Sequence, residues 1–497
     1  MIRNFIDKLL GKAPANATAP VRVPLGKRVE LSAAEHGIDP ELLDERAVKV
    51  VRTLQEAGHA AYIVGGAVRD LLVARRPKDF DVATDATPEQ VKALFRRAFI
   101  IGRRFRIVHV VFGRGREHEV VEVSTFRAYL DADQAQQVGG NEKTSKSELA
   151  GKSHVVDAEG RVLRDNVWGP QIEDAARRDF TINAMYYDPL TRTVIDYHGG
   201  IKDIKKRALR MIGDPSARYR EDPVRILRLA RFAARWPGFQ VAPETMALCR
   251  QMVDDGEADT LVPERVWQEL ARGLAEARPS RLFDVLRDCG ALARVMPEVD
   301  RLWGVPQPAE HHPEVDTGVH LMMVLDSAAR QNTPLAVRWA CLVHDLGKGT
   351  TPPEQWPRHL AHEARSVKLA EALAERLRVP GDCRELGAVV AREHGNIHRC
   401  ATLGAAATLR LLERCDALRR PERFELALWA CECDARGRLG QTDAAYPQRP
   451  RLTAALRSVL AVDVSAVAAR AMERGVSGPA IGEAVRSARE QALSEAL

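Results

Sequence analysis

Apolar and polar positions divide the chain into a mixed front half and a helical back half. Apolar residues recur at helical spacing over Ala47–Ala57, and Ala60–Val64 is a continuous apolar run of strand length. Gly65 and Gly66 close that run, after which Ala67–Ala74 has a helical pattern again. This part of the chain therefore predicts a strand, a glycine turn and a helix.

Three further segments in the front half have the pattern of strands, namely Phe80–Ala83, Arg106–Phe112 and Val120–Phe126. Residues 131–161 are polar, contain glycine and lack a period, which predicts a flexible loop. Beyond Pro215, apolar residues recur three and four positions apart almost everywhere. The predicted fold class is α+β, with a sheet-containing domain in front and all-α domains behind.

Length and composition indicate a multidomain, cytoplasmic protein. A chain of 497 residues exceeds the size of about 250 residues at which single cores stop growing, so we expect at least three units. Residues 1–45 contain the proline-rich composition of a linker and predict a mobile leader. No run of about 18 apolar residues occurs, and charges interrupt the first apolar stretch, which excludes a typical membrane span or signal peptide there.

Cysteine spacing and net charge indicate which classes of protein the chain can belong to. The 8 cysteines lack CxxC spacing, which favours reduced thiols over disulfides or zinc clusters. The formal net charge of +6 is compatible with a polyanionic partner such as RNA. Lysine occurs 12 times before Trp236 and twice after it, whereas every cysteine follows Trp236. This asymmetry suggests that the two halves have different origins.

A pair of carboxylates is the first candidate for chemistry. Asp79 and Asp81 are two positions apart in a predicted strand, so their side chains would share one face about 6–7 Å apart. Two carboxylates so placed can hold two divalent ions, which is the arrangement that phosphoryl transfer uses to neutralise charge. Upstream, Gly65 and Gly66 would let a triphosphate approach the backbone, with Arg69 one helical turn further on.

These motifs together resemble a known family. Gly65-Gly66-Ala67-Val68-Arg69-Asp70 followed by Lys78-Asp79-Phe80-Asp81 is similar to the signature of class II RNA nucleotidyltransferases, the family of bacterial poly(A) polymerases and CCA-adding enzymes. The resemblance implies a polymerase-β-like head with a mixed sheet, followed by a helical neck, body and HD-type domain. It also implies template-independent addition of nucleotides to RNA 3′ ends, with two Mg²⁺ ions at Asp79 and Asp81.

Two further stretches extend the resemblance. The first runs from Arg177 to Met185, and it implies Asp179 as the third catalytic carboxylate, Arg178 as a triphosphate ligand and Asn183 as part of the nucleotide site. Glu122, on a neighbouring predicted strand, is the alternative third carboxylate. The second includes the predicted nucleotide-selecting residues, which are Asp222, Arg225, Arg228 and Arg231. Helical spacing puts Asp222 and Arg225 on one face, where they can contact a base edge or form an ordinary surface ion pair.

The two halves resemble different branches of the family. The front half, to about Arg235, is similar to poly(A) polymerases through residues 100–110, whereas the back half is similar to HD-domain CCA-adding enzymes through residues 288–292, 312–318 and 357–359. Because the head holds the triphosphate, we expect poly(A) addition from ATP. The alternative is CCA addition to tRNA from ATP and CTP.

The HD-type resemblance carries a second candidate site. His320, His344, Asp345 and Asp434 are similar to the ligand set of HD phosphohydrolases, and His359, His362 and His394 are further candidates. Imidazole ligands suit Ni²⁺ or Mn²⁺. The implied activities are 2′,3′-cyclic phosphodiesterase and phosphatase. A regulatory phosphohydrolase with an inactive head and a non-catalytic RNA chaperone are rival classes, which the intact head carboxylates disfavour.

The resulting organisation has six segments: a flexible leader over 1–45, the nucleotidyltransferase head over 46–200, a helical neck over 201–275, a helical body over 276–310, the HD-type domain over 311–440 and a helical tail over 441–497. The expected partners are the 3′ ends of mRNA or tRNA, ATP, and CTP if tRNA is the acceptor. Neither a membrane nor DNA is expected as a partner.

Overall fold

The structure is a computed structural model. It describes residues 25–102, 106–113, 119–128, 136–137, 154–156, 162–165, 167–212 and 223–496. The chain folds into two compact units, which consist of residues 1–223 with 239–248 and of residues 224–238 with 249–497.

The first unit is built on a mixed sheet. Its strands in chain order are β1 (Val29–Leu31), β2 (Ala61–Val64), β3 (Asp81–Thr84), β4 (Ala98–Ile101), β5 (Ile107–Phe112), β6 (Glu119–Thr125), β7 (Gln136–Gln137), β8 (His154–Val156), β9 (Val162–Asp165), β10 (Met185–Asp188), β11 (Thr193–Asp196), β12 (Ala208–Leu209) and β13 (Gln240–Val241). The described residues form an eight-stranded sheet in the order β1-β11-β10-β2-β3-β6-β5-β4. Its neighbouring strands are antiparallel except β3 and β6, which run parallel.

Short helices accompany the sheet. They are α1 (Ala33–His36), α2 (Glu45–Glu56), α3 (Gly66–Leu72), α4 (Pro88–Leu94), α5 (Gln171–Ala176) and α6 (Gly200–Lys206). Asp44 begins α2 by accepting a hydrogen bond from the amide of Arg46 at 2.8 Å. Thr87 and Gln90 begin α4 with a reciprocal capping box. Both helices therefore begin at residue types that commonly cap helix N-termini.

Successive side chains along each strand point to opposite faces of the sheet, and each face packs against a different apolar cluster. Ile63, Val82 and Val123 belong to the larger apolar cluster, which also takes in residues of α2, α3 and α4. Val64 and Ala83 belong to a smaller cluster on the opposite face. Asp81, two positions before Ala83, lies on that second face. The catalytic candidates therefore lie on the side that the larger core leaves open.

The strand and helix predictions around the glycine turn are confirmed, but two neighbouring predictions are wrong. Residues 25–45 are not a mobile leader, because Val29–Leu31 pairs with β11 at the sheet edge. A strand of three residues has too little pattern to be recognised without its distant partner. Residues 1–24 lie outside the described residues. Of the predicted loop over 131–161, residues 136–137 and 154–156 are strands, and the rest lie outside the described residues.

The second unit is helical, as predicted. Its helices, together with one that spans both units, are α7 (Val224–Arg235), α8 (Pro243–Asp254), α9 (Pro263–Leu274), α10 (Ser280–Asp288), α11 (Ala291–Val295), α12 (Pro297–Asp300), α13 (Thr317–Arg330), α14 (Leu335–Val343), α15 (His362–Arg376), α16 (Gly381–His398), α17 (Ala405–Arg414), α18 (Pro421–Arg436), α19 (Gln448–Leu460), α20 (Val464–Glu473) and α21 (Pro479–Ala496). Short 3₁₀ helices occur at Pro40–Leu42, Thr181–Asn183, Glu257–Thr260, Leu346–Thr350, Pro353–Gln355 and Cys400–Thr402.

Helix α14 forms the centre of the second unit. Its residues from Ala336 to Val343 are all buried, because it packs against α13, α16 and α18. All eight cysteines lie in described segments, and all are buried free thiols. In the part of the chain that the structure describes, no single helix has the length and apolarity of a membrane span, although the bent pair α19 and α20 meets that test jointly.

One buried carboxylate is expected to stabilise the first unit. Asp196 accepts hydrogen bonds from the amides of His198 at 3.0 Å, Gly199 at 2.9 Å and Ile201 at 3.0 Å. Asp196→Ala leaves these amides without their acceptor and should lower the free energy of unfolding by about 2–3 kcal/mol. Urea denaturation followed by circular dichroism measures the loss. Asp196→Asn keeps one acceptor oxygen and should lose less, and equal stability of Asp196→Ala and wild type would contradict this role.

Candidate active sites

The head carboxylates lie in a row across the sheet. Asp81 is the first residue of β3, and the strand register puts it beside Val64 on one side and Glu122 on the other. His109 of β5 follows in the same row, with its Nε2 atom 3.2 Å from Glu122 Oε1. Asp79 precedes the strand and is exposed, so only one member of the predicted pair occupies a strand position. The parallel pairing of β3 with β6 thus brings a second carboxylate next to Asp81.

The carboxyl group of Asp81 is electrostatically unusual. The residue keeps exposed surface, but its carboxyl group lies deep enough that burial raises the pKa to about 6, with Glu122 and Asp79 adding to the rise and Arg178 opposing it. Three carboxylates near one another favour a bound cation, because a cation relieves their mutual repulsion. The donor set therefore fits a divalent ion that prefers oxygen ligands.

The glycine turn lies directly after the strand that pairs with β3. Gly65 has φ 73° and ψ −129°, a conformation that residues with a Cβ atom rarely adopt. A Cβ atom at Gly65 would also lie 3.2 Å from Arg178 Nη1. The turn therefore requires glycine at Gly65, both for its backbone and for its close approach to an arginine, whereas Gly66 has an ordinary backbone and Arg69 as its nearest side chain.

Asn183 connects the two predicted triphosphate arginines. Its Oδ1 atom accepts a hydrogen bond from Arg69 Nη1 at 2.6 Å, and its carbonyl oxygen lies 3.5 Å from Arg178 Nη1. Arg178 is also paired with Asp174 at 3.1 Å and lies over the ring of Tyr186, whose hydroxyl donates to Asp174 at 2.7 Å. The structure thus brings Gly65, Arg69, Arg178 and Asn183 together.

Arg69 differs from its expected orientation. It is 3% exposed, and its guanidinium contacts Asp70 as well as Asn183, so it supports the turn from within the protein. Asp179 follows α5, is half-buried, and its carbonyl oxygen accepts from the amide of Ile212 at 3.2 Å. Of the two candidates for the third carboxylate, Glu122 is the one that the sheet register brings beside Asp81.

The predicted nucleotide-selecting arginines lie on one helix of the second unit. Arg225 is buried on α7, and Arg228 and Arg231 follow it at intervals of three. Glu269 of α9 pairs with both, at 3.6 Å from Arg228 and 2.6 Å from Arg231. Glu269, which the sequence did not indicate, therefore sets the direction of both guanidinium groups. Asp222 lies outside the described residues.

The four predicted HD residues converge in the second unit. Asp434 of α18 lies 2.9 Å from His320 Nε2 and 3.9 Å from His344 Nε2. His344 Nε2 is also 3.2 Å from Asp345 Oδ2. Residues from α13, α18 and the end of α14 thereby form one cluster, as the resemblance implied. All four are buried.

Charge in this cluster is strongly coupled. Burial by itself would raise the pKa of Asp345, but Lys348 and His344 beside it hold the pKa well below the usual range. The same balance, with His320 and His398 as partners, lowers the pKa of Asp434. Burial would lower the pKa of His344, but the two carboxylates raise it to about 9. The buried carboxylates of the cluster are therefore stabilised by positive charge, which protons or a metal ion can supply.

The further histidines separate into two groups. His362 Nε2 and His394 Nε2 lie 3.3 and 3.5 Å from Asp345 Oδ1, so both belong to the cluster. His359 does not, because its Nδ1 contacts Thr351 Oγ1 at 3.0 Å and its Nε2 contacts the carbonyl of Pro306 at 2.8 Å. The suggestion that His359 completes the ligand set is wrong, since both ring nitrogens are engaged elsewhere.

Three residues that support the cluster escaped sequence reasoning. Glu314 Oε1 lies 2.7 Å from His320 Nδ1, and His398 Nε2 lies 2.7 Å from Asp434 Oδ2. The hydroxyl of Tyr446 is 2.9 Å from His398 Nδ1. His398 follows His394 by one helical turn, which was an available signal. Glu314 lies in the stretch 312–318 that carries the family resemblance, whereas Tyr446 is brought near by the fold alone.

A cavity of about 400 Å³ opens onto this cluster. Asp345, His362, His394 and Asp434 are exposed to it on one side. Its cationic lining residues are Lys348, Arg358, Arg399 and Arg438. A small anion can therefore reach the clustered ligands and find compensating positive charge.

Three family models match the chain in succession. Residues 61–210 match the Poly A polymerase head domain, residues 238–302 the Probable RNA and SrmB- binding site of polymerase A, and residues 317–428 the HD domain. The first match contains the glycine turn and the head carboxylates, and the third contains His320, His344 and Asp345.

The curated relatives extend this match across both halves. The Multifunctional CCA protein of Paracidovorax citrulli is 54% identical over 439 residues, which cover 87% of this chain and 97% of the relative. The chain belongs to the multifunctional CCA protein family. The namesake from Cupriavidus metallidurans is 52% identical over 420 residues, covering 82% of this chain and 92% of the relative. The chain is thus an RNA nucleotidyltransferase of the expected class.

Solved structures of low sequence identity share the fold. The CCA-adding enzyme of Bacillus stearothermophilus, solved in complex with CTP, has a TM-score of 0.62 at 24% identity and covers 91% of this chain and 93% of its own. The CCA-adding enzyme of Thermotoga maritima, solved with tRNA, has a TM-score of 0.57 at 16% identity, with 94% and 95% covered. These matches confirm a mixed-sheet head followed by helical domains.

The relatives favour the alternative over the expected poly(A) addition. One continuous match to a relative spans head, neck and HD domain, so a poly(A)-like head joined to a CCA-type body is the normal composition of this family. The head motifs could not distinguish poly(A) addition from CCA addition, because both reactions use a metal site and a triphosphate site.

The raised pKa of Asp81 predicts how Mg²⁺ binding depends on pH. A protonated carboxyl does not bind a metal ion, so Mg²⁺ affinity should be constant above pH 6 and fall about tenfold for each pH unit below it. Glu122→Gln removes a neighbouring carboxylate, so it should weaken Mg²⁺ binding at every pH and also move this midpoint to lower pH. The Mg²⁺ dependence of nucleotide addition at a series of pH values measures both. Glu119→Gln, on the same strand, is the control, and a midpoint near 4 in the wild type would contradict the coupling.

Proposed function

We propose that this protein adds C, C and A in sequence to the 3′ end of tRNA, using CTP and ATP. The supporting observation is the continuous similarity to multifunctional CCA proteins over 87% of the chain, which includes the head site. CCA-adding enzymes of the same fold have been solved in complex with CTP, ATP or tRNA. Mg²⁺ ions are the proposed head cofactors, because the carboxylates of Asp79, Asp81 and Glu122 offer oxygen ligands only.

Each head residue has a proposed role in the transfer. Asp79 and Asp81 would hold the ions, and Glu122 rather than Asp179 is the third carboxylate that we favour, since the register puts it beside Asp81. When bound, a pair of divalent ions activates the attacking 3′ oxygen and stabilises the leaving pyrophosphate. The Gly65 turn lets the triphosphate approach the backbone, and Arg178 is positioned next to the turn to contact it.

Selection of the nucleotide is assigned to the second unit. Arg225, Arg228 and Arg231 lie three residues apart on α7 and offer donors that can match the edge of a base. Glu269 orients two of the three guanidinium groups. A protein template of this kind needs fixed side-chain directions, which Glu269 supplies.

The transferase proposal is tested with tRNA that lacks its terminal CCA. With CTP and ATP together, the product should stop after three additions, and CTP alone should give two. Asp81→Ala should reduce the rate about 1,000-fold or more, the scale expected when transition-state charge loses its stabilisation. Gel electrophoresis of labelled tRNA measures both.

Asp85→Ala is the matched control for this test, because Asp85 is an exposed aspartate just beyond the same strand and pairs only loosely with His59 at 3.4 Å. Its rate should equal that of the wild type. Long ladders from ATP alone would instead restore poly(A) addition, and equal rates for wild type and Asp81→Ala would contradict the assigned site.

A second activity is proposed for the HD-type cluster, which would hydrolyse phosphate esters at RNA ends, such as 2′,3′-cyclic phosphates and monoesters. The supporting observation is the convergence of His320, His344, Asp345 and Asp434 beside a cavity with cationic walls. Ni²⁺ or Mn²⁺ suits this imidazole and carboxylate set, and a bound ion would supply a water of lowered pKa as nucleophile. Lys348 and the cavity arginines would bind the phosphate.

The hydrolase proposal predicts that the two activities separate. His344→Ala should lower hydrolysis of 2′,3′-cyclic AMP and of p-nitrophenyl phosphate in the presence of Ni²⁺ by at least about 100-fold. The same variant should leave CCA addition intact, and Asp81→Ala should do the reverse. Phosphate release and tRNA extension are measured on the same preparations. Unchanged hydrolysis in His344→Ala would remove the HD cluster as its source.

A further inference from the structure

The sheet face that carries Asp81 continues outward over the last three strands of the head sheet. The strand register puts Glu122 of β6, His109 of β5 and Phe99 of β4 in one row with Asp81. Neighbouring strands are about 4.8 Å apart, so the backbone of Phe99 lies about 14 Å from that of Asp81 along this row. In the described sheet β4 is the terminal strand, and Phe99 therefore lies at the rim.

Phe99 is unusually exposed for an aromatic residue of a sheet. It is 55% exposed, and among the described residues it is the only aromatic side chain in the exposed class. Its chain neighbours Ala98 and Ile100 point the other way, into the larger apolar cluster. Ile101 and Val120 are exposed on the same face as Phe99. Contiguous exposed apolar surface of this kind commonly marks a binding site.

The geometry of phosphoryl transfer indicates what would lie over this row. The attacking and leaving oxygens are roughly in line, on opposite sides of the transferred phosphorus. Val64 pairs with Asp81 on the β2 side, and Gly65 and Arg178 follow there, so the pyrophosphate would leave toward β2. The attacking 3′ oxygen must then approach from the opposite side, which is the side of β6, β5 and β4. This step rests on the proposed transferase function.

A cation accompanies the exposed ring. Arg97 lies two residues before Phe99, and its carbonyl oxygen accepts from the amide of Val111 at 2.9 Å, which extends the pairing of β4 with β5 by one residue. Arg97 therefore shares the face of Phe99. Its exposed guanidinium donates to the carbonyl oxygen of Gly113 and has further N–H groups that can contact a phosphate. A flat apolar ring beside a cation is the combination that binds single-stranded nucleic acid.

We propose that Phe99 stacks on one of the last two bases of the acceptor RNA, with Arg97 beside a phosphate of the same strand. The occupant is RNA rather than a second copy of the chain, because the row leads directly to the proposed metal carboxylates and the cation favours a polyanion. Stacking on a phenyl ring tolerates any base, since every base has a π face. Such tolerance suits an acceptor whose terminal bases change with each addition.

Binding and kinetics of tRNA that lacks its terminal CCA test the proposal on the full-length protein. Phe99→Ala should raise the Kd for this tRNA, measured by filter binding without nucleotide, and its KM by at least about fivefold. The KM for CTP and kcat at saturating tRNA should not change, because the lost contact is made only to the acceptor. Phe99→Trp should retain wild-type affinity. Val29→Ala, at an exposed apolar residue on the opposite edge strand, is the control and should behave as the wild type.

Two further measurements separate stacking from a general loss of affinity. Removing the last or the next-to-last base of the tRNA should weaken binding to the wild type, and at one of these positions Phe99→Ala should then cause no additional loss. Arg97→Met should reduce the slope of log Kd against log salt concentration by about one, whereas Phe99→Ala should leave this slope unchanged.

The remaining outcomes distinguish this inference from the proposed function. Equal Kd and KM for wild type and Phe99→Ala, with normal CCA addition, would overturn the stacking contact and leave the transferase proposal standing. Additive losses from base removal and Phe99→Ala at both positions would also overturn it. A change only in the oligomeric state of Phe99→Ala, measured by analytical ultracentrifugation, would assign this face to a second copy of the chain. Absence of nucleotide addition by the wild type would overturn the transferase proposal, whereas filter binding would still test Phe99. Circular dichroism checks that each variant is folded.

Discussion

Asp345 carries a negative charge in a largely buried position at the side of the cavity. The residue is 2% exposed, and removing a carboxylate from water is unfavourable unless cations and hydrogen-bond donors replace the solvent. The helical unit meets that requirement with Lys348 and with histidines from α15, α16 and the end of α14. These helices therefore share one contact point, which is the carboxylate of Asp345. A bound metal ion satisfies the same requirement more completely than protons do, because it can contact several lone pairs at once.

The head also brings carboxylates together, at Asp81 and Glu122, but both residues keep exposed surface. The parallel pairing of β3 with β6 puts Asp81 beside Glu122, and burial of the Asp81 carboxyl group, together with repulsion from Glu122, raises its pKa. Arg178 moderates that repulsion, and it is itself held by Asp174 and by the ring of Tyr186. The arginine therefore keeps its direction before any nucleotide arrives, which reduces the entropy that binding would otherwise cost. Gly65 allows this arginine to approach the turn, since no Cβ atom intervenes.

The expectation of poly(A) addition shows where motif reasoning has a physical limit. Metal binding by carboxylates and triphosphate binding at a glycine turn are the same for ATP and CTP, so motifs for those tasks cannot distinguish the products. Discrimination between bases depends on the directions of donors and acceptors. Arg231 is one of the donors that we propose for this task, and its direction depends on an ion pair with Glu269, which is far away in the chain. Similarity over 87% of the chain decided the family, since one relative matches both halves.

The sequence alone determined the elements with strong local signals. Apolar periodicity located β2, β3, β5, β6 and the helical second half, because it depends on neighbours within a few residues. The motifs that contain Gly65, Asp79 and Asp81 are also local, and their resemblance to the family signature implied nucleotidyl transfer. The tertiary structure decided what depends on distant pairing. It made Val29–Leu31 a sheet edge and put Glu122 beside Asp81. It also engaged both ring nitrogens of His359 outside the cluster and brought Glu314, His398 and Tyr446 to the histidine cluster. Strand register and helix packing determine these contacts, and neither can be predicted from the spacing of residues along the chain.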